Sequence, residues 1–398
     1  MNYTKNWIDR EISHNFFNIC AQRPVLVLTG SRQVGKTTFL RKALPNAAFV
    51  SLDLPRNAEQ AEDSGEEFLA RLALPAIIDE VQYAPKLFRY LKHAVDGGAR
   101  KDAHYFLTGS ERFSMMKNVT ESLAGRCSVV ELQTLSHMEL ERWSGMQAES
   151  EQLLQWIYEG GYPDLHARAL DPERFFSDLV ATYIERDVKR LSNITNVREF
   201  DRFLRLMALR SGQLLSMNGV ANEVGVSQAT IKAWTNILVA SNIVTLVEPW
   251  WSNLAKRLVK TPKLYFHDTG LACSLAGFRS ARELARSPLL GALFETHVFG
   301  QILRSFTNRG LAPRIHFFRT HEGVEADFVL QRGTEFHLME CKWSETPTFN
   351  EKVLRVFEDA SKGRVVRYSI VTPVRGRRTK SAVVEYHDSV DWSDLHGE

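Results

Sequence analysis

What this chain of 398 residues lacks narrows its class quickly. Its 4 cysteines (Cys20, Cys127, Cys273, Cys341) lie far apart with no CxxC pair, which argues against a zinc knuckle and a disulfide framework. There is no run of roughly 18 uncharged apolar residues, so no membrane span is expected. The opening MNYTKNWIDREISHNF has no apolar stretch of the signal-peptide kind. Charge of either sign is not in excess: 50 Lys and Arg against 47 Asp and Glu leave +3, so a polyanionic partner would need a local basic patch. Internal repeats and low-complexity linkers are also missing. A cytoplasmic protein with no membrane partner is expected. A hydrophobic fraction of 44% and a charged fraction of 24% suit ordinary globular units. The length calls for more than one core.

The order of patterns suggests four units. The first 23 residues read as an amphipathic helix, with Trp7, Ile12, Phe16 and Ile19 at helical spacing. Short apolar runs follow at 24–30, 47–53, 75–80, 104–110 and 127–132, separated by helical segments such as 87–96. Such alternation predicts an α/β fold: a parallel sheet with helices on both faces, over residues 1–135. Residues 136–211 read as a helical lid interrupted by GGYPDL (160–165), and 212–278 as a winged-helix segment. Residues 279–398 read as a separate C-terminal α/β domain, with a helix around 289–306 and strands at 315–320, 326–332, 335–343 and 365–372.

GSRQVGKT (30–37) fills every fixed position of GxxxxGK[ST] between a buried strand and a helix. Gly30, Ser31, Arg32, Gln33, Val34, Gly35, Lys36, Thr37 and Thr38 would form a cup whose amides donate to a polyphosphate. Lys36 would reach the β- and γ-phosphates, and the Thr37 hydroxyl would meet Mg²⁺. AIIDE (76–80) ends an apolar strand in two acids at the crevice edge, with Asp79 placed to hold Mg²⁺ through water and Glu80 to polarise the attacking water. Thr108 and Ser110 close the next strand, where a hydroxyl would orient that water. Arg126, in SLAGR, is either an arginine finger reaching a neighbouring subunit's γ-phosphate or a surface arginine capping a helix.

Together GSRQVGKT, IIDE, LTGS, SLAGR and GGYPDL resemble the two-domain prokaryotic AAA-type ATPases with a restriction-endonuclease-like C-terminal domain. The resemblance implies ATP and Mg²⁺ as cofactors and homo-oligomer formation.

Residues 216–242 have Ala221, Gly225 and Ser227 at helix-turn-helix spacing, followed by a strand and the basic Lys256, Arg257, Lys260 and Lys263. That outlines a basic wing suited to a DNA backbone. Against sequence-specific reading, the second helix carries Lys232 alone as a charge, and Trp234, Ile237 and Leu238 read as core; a purely structural role stays open. Further on, Asp327 opens one strand, and Glu340 and Lys342 share a face of the next, with Cys341 pointing away. With Glu295 on the preceding helix, Asp327 and Glu340 would hold Mg²⁺, and Lys342 would steady developing charge. This order resembles the PD-(D/E)XK nucleases, with Ala326 where many members carry proline. It implies a DNA-cutting domain, or alternatively a nuclease fold that only binds nucleic acid or protein. His297 and His321 are expected to be structural or exposed.

Overall fold

The computed structural model describes residues 7–98, 102–109, 119, 121–146, 149–184, 197–250, 259–374, 378–379 and 384–387. Its first layer is a five-stranded sheet of β1 (Val25–Thr29), β2 (Ala48–Ser51), β3 (Ala76–Asp79), β4 (Tyr105–Thr108) and β5 (Cys127–Glu131), in the order β2-β3-β4-β1-β5. Every pairing in it is parallel. Strand β1 is buried along its whole length because alternate side chains serve opposite cores. Leu26 and Leu28 meet Phe16 of α1 (Ser13–Cys20) and Phe39 of α2 (Lys36–Ala43). Val25 and Val27 meet Ala61 of α3 (Pro55–Asp63), Phe68 of α4 (Gly65–Ala70) and Leu91 of α5 (Leu87–Asp96). Helices thus cover both faces, as the unbroken apolar runs require.

The entry to this sheet differs from the expected long helix. Helix α1 starts only at Ser13. Before it, Ile8, Arg10 and Ile12 are buried while Asp9 is exposed, an alternation that aims every second side chain inward. Helical spacing of the apolar residues hid the fact that a charged residue, Arg10, belongs to the interior.

Beyond β5 come α6 (His137–Ser144), α7 (Ser150–Glu159), α8 (Pro163–Ala167), α9 (Pro172–Leu179) and α10 (Val197–Ala208). A capping box starts α6: the Ser136 hydroxyl accepts from Glu139 N–H and the Glu139 carboxylate accepts from Ser136 N–H. Next are β6 (Gln213–Leu214), α11 (Met217–Val224), α12 (Gln228–Ala240), β7 (Val244–Val247) and β8 (Lys263–Phe266). The strands make an antiparallel sheet in the order β6-β8-β7. Trp234 of α12 packs against Phe200 and Phe203 of α10, so the apolar face of α12 is core.

Helices α13 (Thr269–Ala276), α14 (Ala281–Ala285) and α15 (Leu290–Thr307) lead into a mixed sheet of β9 (Ile315–Arg319), β10 (Glu325–Arg332), β11 (Glu335–Cys341), β12 (Arg364–Val371), β13 (Arg378–Thr379) and β14 (Val384–His387). Its order is β13-β14-β12-β11-β10-β9, and α16 (Glu351–Ser361) precedes β12. Phe294, Phe299 and Ile302 of α15 meet Phe328 and Met339 on one face, while Val353 and Phe357 of α16 meet Leu338 and Ile370 on the other.

The flanks of the expected basic wing contact the C-terminal sheet, and one of its four bases is buried. Pro249 bridges to Phe317 of β9, Trp250 N–H donates to the Phe317 carbonyl at 2.6 Å, and Val259 N–H donates to the Arg319 carbonyl at 3.1 Å. The Trp250 ring is buried against Phe336 and Phe357. Both ends of the segment are therefore stitched to the C-terminal sheet. Lys256 and Arg257 lie outside the described residues; Lys260 is exposed, but Lys263 is 2% exposed.

Candidate nucleotide site and carboxylate cluster

The glycine-rich loop joins β1 to α2. Gly30 sits against β5's exit, where a Cβ would lie 2.2 Å from the Leu132 carbonyl oxygen. Gly35 has φ +90°, in the region only glycine enters freely, and it starts α2. The turn between them carries Gln33, exposed and also at positive φ, and Val34, fully buried. Lys36 is 7% exposed, and its ammonium donates to the carbonyls of Gly30 at 2.9 Å and Ser31 at 2.8 Å. Burial lowers its pKa to about 8, against the opposing pull of Glu80 and Asp79. Arg32 is half-buried nearby and Thr38 is exposed.

Asp79 ends β3 directly opposite this loop. One carboxylate oxygen accepts from the Thr37 hydroxyl at 2.6 Å and also from the Thr108 hydroxyl. Thr108 in turn accepts from Glu80 N–H at 3.3 Å. Glu80 leaves the strand at φ +56°, and its carboxylate accepts from Gln82. The fold thus gathers Lys36, Thr37, Asp79, Glu80 and Thr108, drawn from the ends of three adjacent elements, as crevice positions at strand C-termini should be. Ser110 lies outside the described residues. Arg126 sits at the opposite, N-terminal end of β5, its guanidinium bound two-pronged to Asp96 of α5 at 2.5 and 2.9 Å.

A buried arginine that the sequence reading passed over stands behind the loop. Arg10 donates to the carbonyls of Val34 at 2.9 Å and Gln133 at 2.6 Å, and pairs with Glu139 at 3.1 Å. Its only signal in the sequence was a charge spaced two residues from Ile8 and Ile12.

The C-terminal carboxylates meet a different partner from the one expected. Lys263 of β8 reaches Glu295 of α15 at 2.8 Å, Glu325 at 2.6 Å and Asp327 at 3.4 Å, both of the latter on β10. The Tyr265 hydroxyl, two residues along the same strand, also donates to Glu295. Burial alone would lower the Lys263 pKa; the three carboxylates outweigh it and hold the lysine protonated. Burial, reinforced by Asp327, pushes Glu295 up to about 8. Asp327 also accepts from Cys341 N–H at 2.8 Å, beside an irregularity in the β9–β10 register. Glu340 pairs with Lys342 at 2.7 Å and accepts from the Tyr368 hydroxyl at 2.7 Å. Among the described residues, no group of three or more His, Cys, Asp or Glu side chains is arranged to hold a metal ion. Lys263 and Tyr265 were legible only as alternate, same-face residues of a strand whose neighbours were unknown. Glu325 was passed over beside Asp327. His297 is buried and stacked on His137, and His321 is exposed.

Known proteins share this organisation. A family described as an AAA domain matches residues 22–141, and two domains of unknown function, DUF8612 and DUF4143, match 150–282 and 290–383. The uncharacterized proteins Rv2008c of Mycobacterium tuberculosis and Mb2031c of Mycobacterium bovis are each 30% identical over 354 residues, covering 88% of this chain and 76% of theirs. The chain belongs to their family. Its N-terminal unit is an AAA-type ATPase domain, and the P-loop family to which such domains belong binds nucleotides. Among solved structures, a Walker-type ATPase of Pyrococcus abyssi is 17% identical, covering 68% of this chain and 96% of its own, with a TM-score of 0.46. RuvB of Thermotoga maritima is 15% identical, covering 60% and 90%, with a TM-score of 0.34. Among the described residues no helix is long and apolar enough to cross a membrane.

Proposed function

We propose that this family member binds and hydrolyses ATP at the 30–38 loop. The observation that carries the reading is the buried ammonium of Lys36, which meets two neutral carbonyls and no bonded counter-charge in the loop. A buried cation in that setting is completed by an anionic ligand. The loop amides and the start of α2 would take the phosphates. The Thr37 hydroxyl and the Asp79 carboxylate, already in contact, fit a Mg²⁺ ion; when bound, it supplies charge to the phosphate oxygens. Glu80 polarises the attacking water, and Thr108 steadies Asp79 and the Glu80 backbone. Arg126 acts on a neighbouring subunit's nucleotide in a homo-oligomer. Lys36→Ala should abolish nucleotide binding, and Glu80→Gln should bind ATP without turning it over. Normal turnover by the Glu80→Gln protein would overturn the assignment.

For the rest of the chain we propose a helical lid over 136–211, a winged helix over 212–278 and a restriction-endonuclease-like domain over 279–398. The β6-β8-β7 order and the chain order helix, strand, two helices, two strands support the winged helix. Of the two readings of the last domain, Lys263 favours the one without cutting. An ammonium already occupies the Glu295 and Asp327 carboxylates that Mg²⁺ would need, so these residues do not fit the ion as they stand. The domain then serves as a binding or assembly module, and DNA contact falls to the exposed face of α12 around Gln228, Lys232 and Asn236. A plasmid-nicking assay of wild type beside Asp327→Ala and Glu340→Ala tests this. Mg²⁺-dependent nicking by wild type that both variants lose would reinstate the nuclease.

A further inference from the structure

We propose, on the nucleotide-binding reading of the loop, that Arg10 is a positioning residue for the phosphate cup, acting through the Val34–Gly35 peptide. A trans peptide is planar, with its carbonyl and its N–H pointing in opposite directions. The Val34 carbonyl is drawn onto the buried Arg10 guanidinium at 2.9 Å. The Gly35 N–H is thereby aimed the other way, away from the guanidinium. Rotating that peptide would require breaking a charge-assisted hydrogen bond in a site where Arg10 is 4% exposed. The turn needs such a restraint because Gly35 at φ +90° has no side chain to confine it and Gln33 at φ +61° is held in a region costly for a residue with a Cβ.

The same guanidinium holds three things at once: the loop at Val34, the exit of β5 at Gln133, and α6 through Glu139. Glu139 is 1% exposed and also accepts from Glu11 N–H at 2.7 Å. Arg10 is therefore the point where the first residues of the chain, the phosphate loop and the start of the following helices are tied together. A fork of five N–H donors can hold several carbonyls and a carboxylate at fixed angles; a lysine ammonium in its place reaches fewer of them.

The test compares full-length wild type, Arg10→Lys, Arg10→Met and Glu139→Gln. Nucleotide affinity is read with a fluorescent ADP analogue, and amide hydrogen exchange over residues 30–36 is read without nucleotide. Arg10→Met should raise the dissociation constant about tenfold or more and Arg10→Lys by less, in the order of the hydrogen bonds lost. Glu139→Gln, which leaves the Val34 bond in place, should lower the melting temperature yet keep affinity within about twofold of wild type. Exchange at 30–36 should rise in both Arg10 variants. Unchanged exchange in Arg10→Lys overturns the inference whether or not the chain binds nucleotide. An equal loss of affinity in Glu139→Gln also overturns it, because Arg10 would then act only through α6. If Arg10→Met fails to fold, the Arg10→Lys and Glu139→Gln pair decides. Absence of nucleotide binding by wild type defeats the ATPase reading alone, since the exchange result stands separately.

Discussion

Two lysines, Lys36 and Lys263, are almost equally hidden, at 7% and 2% exposure, and their surroundings are opposites. Lys36 donates to neutral carbonyls, and burial brings it down to about 8. Lys263 touches three carboxyl groups, of which Glu295 holds its proton most tightly, and is held charged. In the first site no carboxylate is bonded to the ammonium, the setting that the proposed nucleotide would complete. The second has already balanced its charge internally and joins β8 to α15 and β10 in doing so. A buried cation marks a binding site only where its counter-charge is missing.

The largest way to break that contrast is Lys263→Met. It leaves Glu295, Glu325 and Asp327 facing one another without their cation. Removing one partner of a buried charge cluster costs about 3–5 kcal/mol. Chemical denaturation should record a loss of that order. Lys36→Met removes a buried ammonium with no bonded carboxylate, so stability should stay level or rise while nucleotide binding disappears. Equal destabilisation by the two substitutions would erase the distinction between the sites.

A smaller effect sharpens the contrast through pH. Glu295 rises from an ordinary 4.5 to about 8 on folding, so the folded chain keeps a proton that the unfolded chain has released. The stability this group contributes is complete below about pH 4.5 and is lost as pH rises through 8. Lys36 falls from 10.5 to about 8, so its contribution is present above pH 10.5 and is lost as pH falls through 8. The two limbs meet near pH 8, each with a limiting slope of about 1.4 kcal/mol per pH unit. Denaturation across pH 5–10 should show Glu295→Gln flattening the lower limb and Lys36→Met flattening the upper. A Glu295→Gln protein with the wild-type lower limb would remove Glu295 as its source.

What the sequence disclosed follows the same division. GSRQVGKT and AIIDE are local: their chemistry depends on the order of neighbours along one strand and one turn, and that order is written in the chain. The alternation of apolar runs likewise gave the parallel sheet, because strands buried on both faces leave an unbroken signature. Arg10, Lys263 and Glu325 owe their roles to partners between 24 and 129 residues away for Arg10 and 32 to 64 for Lys263. No spacing rule reaches that far. Lys263 was the most misleading, since it follows Lys256, Arg257 and Lys260 and so reads as one more exposed base. The strand that carries it faces apolar neighbours on one side and Glu295 on the other, which only the packing of α15 reveals.

The smallest expected effect concerns Arg126, a cation paired at the surface rather than inside. Its fork holds Asp96 on both carboxylate oxygens, and both side chains are partly exposed. Surface pairs of this kind contribute little to stability and yield to a stronger anion. If a neighbouring subunit presents a nucleotide to Arg126, Asp96 is the group that must let go. Asp96→Asn should therefore leave the melting temperature unchanged and modestly raise ATP turnover per subunit at limiting protein concentration. Arg126→Ala should lower turnover and flatten its dependence on protein concentration. A wild-type rate per subunit that is already flat with concentration would take Arg126 out of the reaction and return it, with Asp96, to the role of an exposed clasp between α5 and β5.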